Sequence, residues 1–405
     1  MTADSPLVYH QPAPPYFVLR TAFLFAAPFF VNGVALPFFP VWLRSLSMTD
    51  LQIGLVLSVP LLVRVMTAPV AGVIADRIGE RADVLIWSAG LSLLTALAFF
   101  MGGGFWVVLI VYGLQGAVYS PYVPIVDSIA LSGVRRWGFD YGRIRVWGSL
   151  SFIVATMMGG MLIGRYGGGI VLPVMAAGFV LTVIAALLSP KVGRPRRANA
   201  IPALETPPNS LRQKDLQLLL LGVTLVNGSH AMLYAFSALY WQQLGFTGTQ
   251  IAGLWSAGVL AEVLVFMVAK NIRRHVSVFT MILSGCTLAV VRWILFPLGT
   301  DFFWFLGLQC LHAFTYAIMH SGMQGRIVER VSEDREASAQ GLYFFYTGTF
   351  TAFITLISGS LFERFHVYGF WAMGGFAFLG LFMAVLGWRL QPHSLGSGGR
   401  TRESR

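Results

Sequence analysis

Charge is scarce in this sequence. Asp, Glu, Lys and Arg make up 11% of its 405 residues, against about 25% in soluble domains, so an ordinary soluble fold is excluded. Cysteine is nearly absent. Cys286 and Cys310 both lie inside apolar runs without metal-site spacing, read as small packing residues, and no metal is expected. Period-two alternation is missing as well, which excludes a membrane β-barrel with its ~10-residue alternating strands. So are an H-E-x-x-H zinc motif, a nucleophile elbow and a P-loop. No catalytic residue is assigned, and neither an enzyme nor a receptor is expected, since no loop has room for a recognition domain. The short, proline-rich N-terminus carries no basic stretch before its first apolar run, so that run is expected to be a retained span.

What is abundant is apolar: 56% of the residues are hydrophobic. Apolar stretches recur along nearly the whole chain, each long enough to cross a ~30 Å bilayer core with ~20 helical residues. About twelve spans begin near Phe17, Leu51, Val84, Phe105, Arg143, Gly168, Lys214, Gln250, Val276, Phe302, Ser338 and Val367.

The net charge of +11 is one-sided. Arg77 and Arg81, then Arg135, Arg136, Arg143 and Arg145, then Lys191 through Lys214, then Lys270, Arg273 and Arg274, then Arg326, Arg330 and Arg335 fall in every second loop. About 23 basic residues lie on one side and about 3 on the other, the bias that fixes orientation. Both termini and the central linker are therefore expected in the cytoplasm, with the chain in a cell inner membrane. Basic groups dispersed among spans set orientation and meet anionic lipid rather than nucleic acid.

One long polar segment interrupts the interior, "SPKVGRPRRANAIPALETPPNSLRQK" from Ser189 to Lys214. Rich in proline and basic residues, it reads as a flexible linker. The organisation is a cytoplasmic tail (1–16), a six-helix bundle (17–189), the linker (190–213), a second six-helix bundle (214–390) and a second tail (391–405). The halves repeat. "ADRIGERADV" after span two matches "AKNIRRHVSV" after span eight, and "GGMLIGRYG" at the end of span five matches "SGSLFERFH" at the end of span eleven. Both offsets are ~195 residues, as a parallel repeat requires. The expected fold is an all-α membrane protein of twelve transmembrane helices in two six-helix bundles.

Ionisable residues well inside spans are few: Arg64, Asp127, His230, Glu262, Arg292, His312 and His320. Such groups are costly in lipid and default to function. A carrier that couples a proton to a solute needs an acid whose proton affinity changes between states. Glu262 is the best candidate, on one helical face with Trp255 and Phe266. Its alternative is a static pair with Arg292. In span ten, Gln309, His312, Tyr316, His320 and Gln324 fall within about 120° of arc. That stripe faces a wet cavity or the bundle interior, and its histidines can relay protons. Asn227, His230 and Tyr234 share a face of span seven, either lining the path or bonding helices together. Arg64 needs an anion, which is either a substrate carboxylate held by its planar fork or Asp127. Asp127 follows Pro121 and Pro124, which kink span four, and Arg143 or Arg145 lies near enough in depth to pair with it. Trp147, Tyr343, Phe344 and Tyr346 are aromatics that either pack a substrate or pack helices.

"GVIADRIGER" carries Gly72, Asp76, Arg77, Gly79 and Arg81, and resembles the G-x-x-x-D-R-x-G-R-R loop of the major facilitator superfamily, with Glu80 departing. The glycines allow a tight loop, and the charges close one side. "YGLQG" resembles the superfamily's R-x-x-Q-G, but Tyr112 replaces the arginine, so that arginine's role does not carry over. "PFFPVWLRSLSMTDLQIGLVLSVPLLVRVMTAPVAGVIADR", "DYGRIRVWGSLSFI", "NGSHAMLYAFSALYWQQLGFTGTQIAGLWSAGVLAEVLVF" and "LHAFTYAIMHSGMQGRIVERV" together resemble the phenylpropionate permease family over almost the entire chain. More distantly, the chain is similar to sugar and nucleoside proton symporters, lactose permease among them. The resemblance implies proton-driven uptake of a small organic acid, an aromatic monocarboxylate such as 3-phenylpropionate. It also implies a proton site at Glu262, Arg292 and His312 or His320, and a substrate site that includes Asp127 and Arg145. Arg64, Asn227, His230, Gln309 and Tyr316 complete the expected substrate contacts. A neutral sugar or nucleoside, or efflux of a small molecule, is the alternative. No cofactor beyond the proton gradient is expected. The expected partners are the substrate, the proton and the lipid bilayer, with a monomer as the working unit.

Overall fold

Residues 12–77, 80–193, 212–331 and 333–391 are described in a computed structural model. All regular structure among them is helical. The helices are α1 (Phe17–Ser45), α2 (Asp50–Arg77), α3 (Arg81–Ala98), α4 (Phe105–Tyr119), α5 (Tyr122–Trp137), α6 (Tyr141–Tyr166), α7 (Val171–Leu187), α8 (Lys214–Gly228), α9 (Ala231–Gln243), α10 (Gly248–His275), α11 (Val278–Leu295), α12 (Phe302–Cys310), α13 (Met319–Arg330), α14 (Glu333–Phe365) and α15 (Phe370–Arg389). Among the described residues, eleven stretches are long and apolar enough to cross a membrane, and the last, Ser338–Arg389, contains most of α14 and all of α15, joined by a short 3-10 turn. The protein is a multi-pass helical membrane protein.

Local chemistry sets where helices start and break. Asp140, Ser277 and Asp301 cap α6, α11 and α12 by accepting a backbone N–H three residues on. Thr247 and Gln250 form a reciprocal capping box at α10. The α4–α5 break falls at Ser120–Pro121, where a proline removes a backbone donor. Span ten is interrupted by a π-helical turn, Ala313–Ile318, between α12 and α13. Such turns widen the ladder to i→i+5 bonding and concentrate at functional sites.

Packing is dense within each half of the chain. α1 lies on α6 and α7, α2 on α4, α8 on α14 and α15, and α11 on α15. Between the halves, α2 packs on α14 and α6 on α10. The sequence repeat exchanges these two pairings, so one contact is used twice. Lipid offers no hydrophobic drive for helix pairing, so close approach depends on small residues. At the α6–α10 crossing, a Cβ added to Gly160 would lie 2.3 Å from the carbonyl oxygen of Gly248. At α2–α14, a Cβ on Gly54 would lie 2.9 Å from the Cα of Gly359.

Candidate functional site

Two cavities lie side by side along the path between the halves. The first, about 490 Å³, is walled mainly by α1, α2, α4 and α7 and contains Arg64, Asn32, Tyr112, Gln115 and Tyr119. The second, about 460 Å³, is walled by α6, α8, α10, α12 and α14 and contains Arg145, Asn227, Trp255, Glu262, His312 and Tyr316. Both are in the size range of small-molecule sites. Phe29, Leu36, Phe152, Tyr234 and Thr351 line both.

In the second cavity, Glu262 Oε2 lies 3.5 Å from His312 Nε2. Arg292 reaches the opposite edge of the same imidazole, 3.3 Å from Nδ1. A guanidinium only donates, so Nδ1 accepts from Arg292. The proton of a neutral ring then sits on Nε2 and faces Glu262. Arg292 also donates to Thr315 Oγ1 at 3.2 Å and to Gln309 Oε1 at 2.6 Å. Its guanidinium lies 4.8 Å from the Trp293 ring centroid. It is 0% exposed, and among the described residues it has no carboxylate at salt-bridge distance. A direct Glu262–Arg292 pair is therefore replaced by a three-part array with His312 in the middle. The acid and the arginine start from different depths on α10 and α11, and the imidazole spans the gap.

The π turn orders the rest of the stripe. His312 stacks on Tyr316 at 5.5 Å and Tyr316 on His320 at 5.7 Å, both with 9° between ring planes. His320 Nδ1 is 3.0 Å from the Tyr343 hydroxyl, which also accepts from Asn227 Nδ2 at 3.0 Å. Gln324 pairs with Gln340. Gln309, His312 and Tyr316 line the cavity, whereas His320 and Gln324 lie beyond it.

His230 is held behind the wall. Its Nδ1 is 3.1 Å from the Val226 carbonyl and its Nε2 3.0 Å from Thr315 Oγ1. A carbonyl only accepts, so Nδ1 donates and Nε2 takes the threonine proton. With both ring nitrogens engaged and the residue buried, His230 lines neither cavity, unlike its expected role as a substrate contact. Asn227, one turn earlier, does line the second cavity.

Arg64 lines the first cavity and makes no hydrogen bond or ion pair among the described residues. Asp127 does not supply its anion. That carboxylate accepts from the Tyr141 hydroxyl at 2.8 Å and lines neither cavity. Arg145 lies nearer Asp127 in the fold, but its guanidinium sits 4.2 Å from the Phe29 centroid and 5.3 Å from that of Phe25, at the wall of the second cavity. Arg143 faces outward toward Asp140 at 3.9 Å.

The four aromatics singled out in the sequence line neither cavity. Trp147 and Phe344 are exposed on the outer surface, Tyr343 bonds to Asn227, and Tyr346 donates to Gln217 Oε1 at 3.0 Å. The rings that do line the cavities are Phe29, Tyr112, Tyr119, Phe152, Phe179, Tyr234, Trp255 and Tyr316. Gln115 and Thr347 were also missed. Gln115 was visible in the "YGLQG" stretch; Thr347, in "YTGTFTAF", carries no signal that separates a wall threonine from a packing one. Cys286 is buried as expected, but Cys310 is exposed.

In the loop motif, Gly79 lies outside the described residues, as do the side chains of Gly72, Asp76 and Arg77. Arg81 is described: it is buried and donates to Ser132 Oγ at 2.7 Å and to the Ser128 carbonyl at 3.3 Å, which ties α3 to α5.

Apolar helices packed in two halves around cavities with charged groups on their walls have the make-up of a membrane transporter. The chain belongs to the MFS_1 like family, whose model matches residues 17–373. It is 29% identical over 379 residues to a probable 3-phenylpropionic acid transporter of Escherichia coli, covering 88% of this chain and 94% of that protein. It is 24% identical over 344 residues to a maltose permease of Geobacillus stearothermophilus, covering 84% and 86%. Among solved structures, the nucleoside transporter NupG superposes with a TM-score of 0.79 at 16% identity, covering 93% of this chain and 100% of that one.

Proposed function

We propose that this protein is a proton-coupled symporter that imports a small organic acid, an aromatic monocarboxylate such as 3-phenylpropionate, by alternating access. The observation that carries this reading is Arg64, a cation on a cavity wall with no protein anion beside it among the described residues. Arg292 is held by neutral hydrogen-bond acceptors, whereas Arg64 makes no hydrogen bond or ion pair among the described residues and opens to the cavity. A charge inside a span is costly without a partner, and a cargo carboxylate matches its planar fork. The aromatic walls around it suit a ring.

Glu262 is the proton site in this mechanism. When it is ionised, its charge is felt by Arg292 through the His312 imidazole. A second proton placed on His312 Nδ1 has to displace the Arg292 donor, so the ring can act as a relay only when the array rearranges. One proton on Glu262 and one carboxylate on Arg64 make the loaded carrier neutral for its cargo. That favours movement of the halves past each other only when both sites are filled. In this reading twelve spans form two six-helix bundles that rock about the cavities, with both termini in the cytoplasm and the protein in the cell inner membrane. It works as a monomer, without a cofactor and without enzymatic activity, and it does not bind nucleic acid.

Symport of a neutral sugar or nucleoside is the second reading, favoured by the polar wall of the second cavity and the likeness to a maltose permease. Uptake into proteoliposomes with an imposed pH gradient tests both. 3-Phenylpropionate should accumulate with an alkaline interior, and lactose and uridine should not. Uptake indifferent to the gradient would sink proton coupling, and accumulation of lactose or uridine alone would sink the acid.

A further inference from the structure

Five residues border both cavities, and three of them are rings: Phe29, Phe152 and Tyr234. Phe152 is buried, which leaves Phe29 and Tyr234 with open surface at the border. Tyr234 packs on Trp255 with 6.0 Å between ring centroids. Phe29 is held by a charge. The Arg145 guanidinium lies 4.2 Å from its centroid and 5.3 Å from that of Phe25, one turn earlier on α1. Both distances are within cation–π range.

The surroundings fix this stack in place. Gly148, three residues after Arg145 on α6, leaves the room for it. A Cβ there would lie 2.8 Å from Arg145 Nη1 and 3.2 Å from Phe29 Cδ2. The α1 backbone beside Phe29 is tied from two sides. Ser151 Oγ of α6 donates to the Ala26 carbonyl at 2.7 Å, and the Tyr119 hydroxyl of α4 donates to the Pro28 carbonyl at 3.1 Å. Phe29 is thus a fixed ring between the Arg64 side and the Glu262 side. Each cavity alone is within the roughly 300–1,000 Å³ of small-molecule sites, so a one-ring acid has room beside Arg64 without entering the other.

We propose that Phe29 is a specificity-determining residue, which limits how far a cargo anchored at Arg64 extends toward Glu262. Arg145 is its positioning residue and acts through the ring rather than on the cargo. This rests on the acid reading above, with Arg64 holding the carboxylate. The carrier then selects one-ring acids, and its proton site stays clear of the cargo. A longer acid has to push Phe29 off its guanidinium, and overpacking a fixed wall is costly.

The test is competition binding to the purified full-length protein with 3-phenylpropionate and 3-(biphenyl-4-yl)propionate, which carries a second ring at the far end. Phe29→Ala, Arg145→Met, Arg145→Lys and Arg64→Gln are measured beside the unaltered protein. The unaltered protein should bind the one-ring acid about tenfold or more tightly than the two-ring acid. Phe29→Ala should bring that ratio close to one. Arg145→Met should lower it about threefold or more by freeing the ring, and Arg145→Lys, which returns a cation, should recover part of it. Equal affinities in the unaltered protein, or a ratio unmoved by Phe29→Ala, would overturn the proposal. So would an Arg145→Met that weakens both acids alike, because that is the mark of a direct grip on the carboxylate. In each case weaker binding of both acids to Arg64→Gln leaves the acid reading standing. If neither acid binds, or Arg64→Gln changes nothing, the acid reading fails and takes the proposal with it. The Arg145 variants decide the matter should Phe29→Ala not fold.

Discussion

The Arg64 cavity and the Glu262 cavity are close in volume and share five wall residues, yet they offer opposite chemistry. Around Arg64 the wall is mostly aliphatic or aromatic and includes no carboxylate. Around Glu262 an acid, an imidazole and a buried arginine form an internally bonded array, beside atoms that both donate and accept. The first is suited to hold an anion that arrives with the cargo. The second already holds its own ions and can change their protonation. A coupled carrier needs both functions without either neutralising the other. Among the described residues no carboxylate lies at salt-bridge distance from Arg64, which keeps the two functions apart.

The largest effect should come from breaking the second cavity's ion. Glu262→Gln keeps the shape and removes the exchangeable proton. Gradient-driven accumulation in proteoliposomes should be abolished, while exchange of internal for external labelled acid continues. Loss of both would mean that Glu262 holds the bundle together through His312 and does not carry the proton.

Arg64→Gln breaks the other side of the comparison. A charge-assisted bond to a carboxylate is worth about 1.5–3 kcal/mol, so acid affinity should fall about ten- to a hundredfold. Proton-coupled behaviour of whatever still enters should persist. Arg64→Lys should recover part of the loss, because a lysine supplies the charge without the planar fork. An unchanged affinity would leave the first cavity without a ligand charge to hold.

Much of the fold was readable because the bilayer enforces it. Each span must satisfy its own backbone as a helix, so apolar runs mark the helices, and α8 and α12 begin at Lys214 and Phe302 as their polarity suggests. The few mid-span charges were equally visible, since each stands out against lipid-like surroundings. Their partners were not. A helical wheel assumes a constant turn per residue, and the π turn at Ala313–Ile318 breaks that assumption in the stripe that matters most. Nothing local could show that an imidazole separates Glu262 from Arg292, or that Tyr141 takes Asp127 from Arg64. Those facts depend on how α10 and α11 sit against the π turn, and how α5 sits against α6. The cavity aromatics were hidden for another reason: rings occur in nearly every span, and only burial separates Trp255 from Trp147.

A change that touches both cavities together sharpens the contrast. Gly160→Ala places a methyl against the Gly248 carbonyl at the α6–α10 crossing. Overpacking of this kind costs about 1–3 kcal/mol, and a few degrees should be lost in thermal unfolding of the detergent-solubilised protein. Affinity for the acid and gradient-driven uptake should fall together. Loss of one with the other kept would mean that the crossing shapes one cavity alone.

The smallest effect is expected at Trp147, and it tests whether the cavity walls are assigned correctly. Trp147 and Arg145 are two residues apart on α6, but Arg145 points at Phe29 and the second cavity while Trp147 is 52% exposed on the outer face. In the membrane that face meets lipid, where a tryptophan can be replaced by another large apolar group with little change in packing. Exposed substitutions of this kind usually shift free energy by no more than about 0.5 kcal/mol, so Trp147→Leu should alter acid affinity by less than about threefold. Trp255→Phe, a milder change in size, should have the larger effect on acid affinity because that ring lines the second cavity. The reverse order, with Trp147 mattering more, would place the aromatic contact on the outer face of α6 and exchange the roles given to the two tryptophans.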